Sequence, residues 1–505
     1  MGSIPTEIGL LSTLFLIDLE HNQITGTIPT EICQLTNLGH LWLRSNDIEG
    51  RLPDCFGSAL GDSLLSLNLQ DNPMTGALPN QLCELTSLQT IVLDRCMFDG
   101  TIPPCIGSAW TDMKILSIAD NLLTVRFASS SSLLSLFPSH PSLREQGEIP
   151  TELARLADTV TEIYFDGNEL TGNPLDTVGA MTSLDLVFIE ENAFTGAINA
   201  DTFAGLTDMR ALDLSENKFT LDGTFPTEIL ALANLHILDI SKNQLAGEFP
   251  DTIAQQDTLF FLSVHENELT GAVPESVTNL GGLQHVDFAN NDLEGTIPES
   301  WFRLQQMFHI FLSENPNLTA GPIPDWTNAT QLREISLKNT NRAGPIPDLT
   351  GFTNLFLLDL DDNALTGTIP ESITTLTALR HLILNSNPGL SGSLPEFSIS
   401  NNLGTVLLDK TDVVGDFNSI CQLPTFTGDQ PIPTDVIMIA DCDDNPSITC
   451  DCCHCCTKTQ PVCSDPLVAS LDWTWEFGFN RPVRDFAINA TSLQRPTVSV
   501  TAGRR

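Results

Sequence analysis

The side chains able to do chemistry in this sequence come in four sets: cysteines, histidines, aromatics and carboxylates. The thirteen cysteines split into five before residue 106 and eight after residue 420. The second group (Cys421, Cys442, Cys450, Cys452, Cys453, Cys455, Cys456, Cys463) contains the run Cys-Asp-Cys-Cys-His-Cys-Cys from Cys450. Tetrahedral zinc favours two spaced ligand pairs, whereas here adjacent cysteines crowd seven positions around the lone His454. An even number of crowded cysteines points instead to disulfides, with a metal site as the alternative. In the first group, Cys33 and Cys55 are 22 apart, as are Cys83 and Cys105, and the two pairs are offset by 50.

Histidines and aromatics recur together. His285 and His309 lie 24 apart, close to Phe260, Phe261, His265, Phe308 and Phe311, with Phe356 further on. Smaller groups are His40, Trp42 and Arg44, and Tyr164 with Phe188. None of these sits in a G-x-S-x-G, H-E-x-x-H, P-loop or G-x-G-x-x-G pattern, so no catalytic constellation, metal or cofactor is implied. What such side chains offer is contact, together with imidazoles that titrate near neutral pH. The carboxylates dominate the charge, with 64 acidic against 22 basic residues and a net charge of −42. That field repels nucleic acid and anionic lipid and attracts cations. No run reaches the ~18 apolar residues of a membrane span.

What positions these residues is a repeat of about 24 residues, seen in LGHLWLRSNDIEGRLP from Leu38, LFFLSVHENELTGAVP from Leu259 and LFLLDLDDNALTGTIP from Leu355. The pattern is L-x-x-L-x-L-x-x-N-x-L-x-G-x-I-P. Its Asn position falls at 22, 46, 72, 96, 121, 168, 192, 217, 243, 267, 291, 315, 340, 363, 387 and 411, giving sixteen rungs. Alternation at period two makes x-x-L-x-L-x-x a short strand, leucines inward and five side chains outward. One rung cannot bury its own apolar edge, so stability must come from stacking. The Asn satisfies backbone groups at the bend; Cys96, Thr340 and Thr411 replace it and should bond more weakly. A step of 22 carries the chain nearly one rung along, so Cys33–Cys55 and Cys83–Cys105 are expected to bridge adjacent coils. Unpaired core cysteines are the alternative, and Cys96 is left over on the ladder.

The L-x-G-x-I-P signature, repeated over residues 2 to 415, resembles the plant-type leucine-rich repeat of receptor ectodomains and cell-wall inhibitor proteins. The resemblance implies a leucine-rich-repeat solenoid: a right-handed twisted superhelix, a parallel β-sheet on the concave face and an irregular or short-helical convex side. It implies binding of a protein, peptide or glycan. One gap, from Asn121 to Asn168, is 47 residues; removing Val125 to Gln146 restores a spacing of 25. Residues 125–146 match nothing in the repeat, and are read as a disordered loop, a retained intron or a ligand loop. Residues 416–465 read as a cysteine-rich cap over the apolar end of the solenoid, and 466–505 as a Trp-containing tail. The C-x-C-C-x-C-C cap followed by that tail resembles cysteine-capped repeat proteins of diatoms and related algae. There, a membrane span commonly lies on the N-terminal side, so an upstream part carrying a span or signal peptide is expected.

On this numbering, seven of nine histidines (His21, His40, His236, His265, His285, His309, His381) take outward strand positions. Exposed aromatics in a run are unexpected on a solvated sheet. Residues 260–311 are therefore the first candidate contact patch, His40–Trp42 the second and Tyr164–Phe188 the third. Packing between rungs is the competing explanation. The acids Asp213, Asp239 and Asp359 belong to the ordinary L-D-[LI] repeat and receive no role. Sequons stand at Asn317, Asn328 and Asn489, to be glycosylated only on a secretory route. The expected function is a non-catalytic recognition scaffold, secreted or at the cell surface; a structural or cell-wall adhesion protein is the alternative.

Overall fold

The computed structural model describes residues 2–124, 147–221, 225–230, 232–251, 253, 257–398, 401–423, 437–443 and 447–457. Within them the chain coils into a solenoid whose concave face is a single sheet of eighteen strands, with every pairing parallel. Each strand is about three residues long. Register advances by one repeat per coil, as in Phe261↔His285, His285↔His309 and His309↔Glu334. The pattern leucines enter the core: Leu259, Leu262 and Val264 have no exposure, and one continuous apolar cluster runs from Ile4 to Ile448.

Sixteen coils turn their corners in the same way. The residue before each of the sixteen ladder positions is left-handed, with φ between 48° at Arg95 and 61° at Gly167. Fifteen of these residues are not glycine, and such a conformation costs roughly 1–2 kcal/mol for an L-residue. The ladder asparagine offsets it. Asn291 Nδ2 donates to the carbonyls of Phe288 and Ala289 in its own coil and of Val264 in the preceding one. Its Oδ1 accepts the Leu269 N–H, also in the preceding coil, at 3.0 Å. The same four-point bonding recurs at Asn46, Asn121, Asn217 and Asn387.

The three substituted rungs share a compensation. Cys96 Sγ still reaches the Leu69 carbonyl, and Thr340 and Thr411 donate to Leu337 and Leu408. None of the three accepts the N–H waiting in the coil before. In each case that coil reads Asn-Pro at its own ladder position: Asn72-Pro73, Asn315-Pro316 and Asn387-Pro388. The waiting N–H groups of Met74, Leu318 and Leu390 fold back onto the carbonyls of Asn72, Asn315 and Asn387. The local turn thus satisfies a donor that a missing asparagine would strand. Burial pushes the Cys96 thiol up to about 12, so it stays protonated on the ladder.

On the convex side, Ile-Pro opens most turns, and short 3₁₀ helices follow, as at Thr30–Gln34, Glu275–Asn279 and Glu371–Thr375. The proline ring presets the entry φ, −69° at Pro29. Disulfides Cys33–Cys55 and Cys83–Cys105 tie neighbouring convex turns at Cα separations of 6.1 and 5.8 Å. The 125–146 segment lies outside the described residues. On either side of it the register is unbroken: Thr124 bridges Glu169 and Glu148 bridges Thr171, so Gly147 takes the next place after Thr124.

The sheet does not end at residue 415. Ile437–Ala440 pairs with Thr405–Leu407, and His454–Cys455 pairs with Ile437–Ala440. The cysteine-rich region therefore builds further rungs, held by Cys421–Cys452, Cys442–Cys455 and Cys450–Cys453. Cys463 lies outside the described residues.

Asn291→Thr should lower stability by about 1–3 kcal/mol in urea unfolding, because the Leu269 N–H loses its acceptor in a buried site. Thr411→Asn should gain less than Asn291→Thr loses, because the Leu390 N–H is already held by Asn387 and only carbonyl contacts remain to be made. A gain as large as that loss would show that the Asn-Pro turn does not substitute for the ladder.

Candidate functional site

The outward side chains of the sheet form columns that run across the rungs, and two adjacent columns carry most of the aromatic groups. One column reads His236, Phe260, Gln284, Phe308, Arg333, Phe356 and Arg380, each backbone N–H bonding the carbonyl of the residue before it in the column. The other reads Ile237, Phe261, His285, His309, Glu334, Leu357 and His381.

The sequence placed all of these aromatics at exposed positions; the structure separates them. Phe261, His285 and Phe311 are buried. Phe261 stacks on the His285 ring at 4.2 Å and 3°, and His285 meets His309 at 5.5 Å and Phe311 at 5.6 Å. Rungs lie close enough that a flat ring covers its neighbour, so the central aromatics pack on one another. The third candidate patch is corrected for the same reason: Tyr164 and Phe188 are buried and stacked at 5.3 Å. His40 and Trp42 are half-buried and in contact at 5.4 Å, with Trp42 Nε1 donating to Ser66 Oγ.

Accessible aromatic surface lies instead in the first column. Phe356 is 41% exposed, and Phe260 and Phe308 are half-buried. The Arg333 guanidinium sits over the Phe308 ring, 4.7 Å from its centre. His236 and His381 meet Phe260 and Phe356 edge-on at 5.9 and 5.1 Å. Arg333 and Glu334 escaped the sequence reading, which looked for aromatic and imidazole groups; their column positions were the signal available.

Burial sets the protonation of the central groups. It pushes His265 and His309 down to about 3, with the Lys242 and Arg333 charges acting in the same direction. His285 is lowered by burial and then by its two histidine neighbours. These imidazoles are neutral across the physiological range, which removes the near-neutral titration expected of them. Burial also pushes Glu334 up to about 7.

The acids of the L-D-[LI] repeat have a structural use. Asp213 Oδ1 accepts the Ser215 N–H and hydroxyl at 2.9 and 2.7 Å, and Asp239 holds Ser241 likewise. Each closes the strand end two residues on. Burial raises both carboxyls, and the Asp239 charge adds to the rise at Asp213.

Among the described residues, the one cluster of metal-type ligands is Cys421, Cys450 and Cys452, and all three sulfurs are in disulfides. Asn317 and Asn328 are exposed, and Asn489 lies outside the described residues.

The Leucine Rich Repeat family profile matches residues 13–35, 234–255, 282–304 and 354–376. Each stretch spans the end of one convex turn, a concave strand or the turn that follows it, in the frame set by the ladder. The chain is a leucine-rich-repeat solenoid. No curated protein matches the sequence. Among solved structures, the solenoid is similar to the plant peptide hormone receptor RGFR1 in complex with RGF2, at 26% identity and a TM-score of 0.64, over 87% of this chain and 80% of that one. It is similar to PEPR1 bound to AtPEP1 at 25% identity and a TM-score of 0.63, over 87% of this chain and 63% of that one. A Leptospira interrogans leucine-rich-repeat protein aligns at 27% identity and a TM-score of 0.53, over 77% of this chain and 84% of that one. Among the described residues no helix is long and apolar enough to cross a membrane.

A raised carboxyl takes up protons more readily folded than unfolded, so its support for folding is present at low pH and fades as pH rises. For Glu334 that window runs from 4.5, its ordinary value, to about 7. Glu334→Gln should therefore become progressively more stable than the wild type between those pH values and hold a constant margin above them. Thermal unfolding of both chains across this range checks it; a margin that shrinks with rising pH would contradict the assignment.

Proposed function

We propose that this solenoid is a non-catalytic recognition module of the cell exterior or cell surface, binding an extended peptide segment along its concave face. The observation that carries the reading is the spacing of the accessible aromatics. Phe260, Phe308 and Phe356 share one column at every second rung. With parallel strands about 4.8 Å apart, they recur every ~9.6 Å. A polyproline-type peptide advances about 9.3 Å per three-residue turn, so it can set one side chain per turn on each phenyl ring. Arg333, between Phe308 and Phe356, offers a charged contact to a peptide carbonyl or carboxylate.

Two further findings support the reading. The similar solved structures include a plant peptide hormone receptor in complex with RGF2 and PEPR1 with AtPEP1. The disulfides on the convex turns and in the C-terminal region suit an oxidising compartment. The run from Cys450 to Cys456 also supports kinship with the cysteine-capped repeat proteins of diatoms and algae. The buried central aromatics act as the floor of the site, and the half-buried column acts as its contacting edge.

Panning the immobilised full chain against a displayed peptide library provides the test. Phe308→Ser with Phe356→Ser should weaken capture of the selected peptides at least roughly tenfold, equivalent to about 1.4 kcal/mol. Trp42→Ser, many rungs away, should leave capture unchanged. Undiminished capture by the double variant would place the binding surface elsewhere.

A further inference from the structure

The cysteine-rich rungs hold a group of sulfurs that the concave site does not use. Cys421 ends the short helix Asn418–Cys421, and Cys450, Cys452 and Cys453 follow the side strand Ile448–Thr449. The Cys421–Cys452 and Cys450–Cys453 disulfides lie against each other. Cys421 Sγ is 3.7 Å from Cys450 Sγ, and the sulfurs of Cys421, Cys450 and Cys452 all lie within 4.8 Å of one another. All four residues are half-buried, which leaves them within reach of a small thiol.

The two bonds differ in what they hold. Cys421–Cys452 joins residues 31 apart and clasps the helix to the last rungs, as the pairs with separations of 22, 22 and 13 clasp theirs. Cys450–Cys453 spans a separation of 3, joining residues that the chain already keeps together. Closing so short a loop removes little freedom from the unfolded chain, so this bond adds little to the fold. Its Cys-x-x-Cys spacing suits exchange instead, because a thiolate formed in such a pair is stabilised and leaves readily. The surrounding backbone is held without the sulfurs. Gly415 and Asp416 pair with Ile448 and Thr449, the Thr449 hydroxyl donates to Asp416 Oδ1 at 3.0 Å, and the Asp451 N–H donates to Asn418 Oδ1 at 2.8 Å. These contacts keep Cys421 beside the Cys450–Cys453 turn when a sulfur bond opens.

We propose that this cluster is a thiol–disulfide exchange site that takes two electrons from an external dithiol while keeping the C-terminal rungs tied. A thiolate of the dithiol attacks Cys453 Sγ, forming a mixed disulfide and releasing Cys450 as a thiolate. Freed from Cys453, the Cys450 side chain rotates into line with the Cys421–Cys452 bond and attacks Cys421 Sγ. A Cys421–Cys450 bond forms, the Cys421–Cys452 bond breaks, and Cys452 leaves as a thiolate. The second sulfur of the dithiol then attacks the mixed disulfide and releases Cys453. The dithiol ends as a disulfide, and its two protons pass to Cys452 and Cys453. The helix stays bonded to the turn, through Cys450 in place of Cys452.

Limited reduction of the full chain tests the exchange without any peptide ligand. The chain is treated with an equimolar amount of dithiothreitol at mildly alkaline pH, and free thiols are capped with N-ethylmaleimide. Peptic peptides are then sequenced by mass spectrometry with no further reduction. The first caps should fall on Cys452 and Cys453, together with a Cys421–Cys450 linkage. They should appear at least roughly tenfold faster than caps on Cys33, Cys55, Cys83 or Cys105. First caps on any other pair, including Cys450 and Cys453 with Cys421–Cys452 intact, overturn the proposal, as do caps that reach the convex pairs equally fast. Cys453→Ser gives a second reading without reductant, since it leaves Cys450 a free thiol. Cys421–Cys450 and Cys421–Cys452 should then both occur in one preparation, with Cys33–Cys55 and Cys83–Cys105 intact as the sign of a native fold. Cys421–Cys452 alone in that preparation overturns the exchange.

Discussion

The structure depends on one repeated corner. At the end of sixteen of the eighteen concave strands the chain enters the left-handed region, a conformation that L-residues resist. The next side chain makes the corner hold, because its amide takes up two carbonyls of its own coil and one carbonyl and one N–H of the coil before. Each corner is thus stable only when another coil is present. That reciprocity converts a sequence of isolated bends into a stack, and the stack fixes strand register to one repeat. Where the amide is missing, at Cys96, Thr340 and Thr411, an Asn-Pro turn in the coil before has already satisfied the donor in question. The constraint is therefore met by pairs of neighbouring coils, a property of nearest-neighbour stacking.

Fixed register is what makes a surface out of separate rungs. A strand of three residues positions nothing alone, but eighteen in register line up outward side chains into columns. Phe260, Phe308 and Phe356 become a row through this alignment, although 48 residues separate each from the next in sequence. The same alignment brings His285, His309 and their aromatic neighbours into mutual contact, which removes them from water and holds the imidazoles neutral. Crowding thus turns the most chemically suggestive residues into a floor, while the less crowded outer column keeps its surface.

Much of this was legible in the residues. The period, the sixteen ladder positions and the outward columns follow from alternation and from the recurrence of Asn, because both are local rules applied many times. The spacing of Cys33 from Cys55 carried its geometry in the same way. Exposure was not legible. Whether Phe261 or Phe260 meets solvent depends on the side chains one rung away and on the curvature of the sheet, and no single repeat encodes either. Nor did composition reveal that Ile437–Ala440 and His454–Cys455 extend the sheet, because disulfides there take over the role of the leucine pattern.

The central claim is that recognition takes place on the concave columns that the ladder aligns. Hydrogen–deuterium exchange on the full chain, with and without a captured peptide, tests it most directly. The account predicts slowed exchange in segments 259–266, 307–314, 332–338 and 355–362, with the convex turns at Glu275–Asn279 and Glu371–Thr375 unchanged. Slowed exchange confined to the convex turns, with the concave strands unaffected, would contradict it.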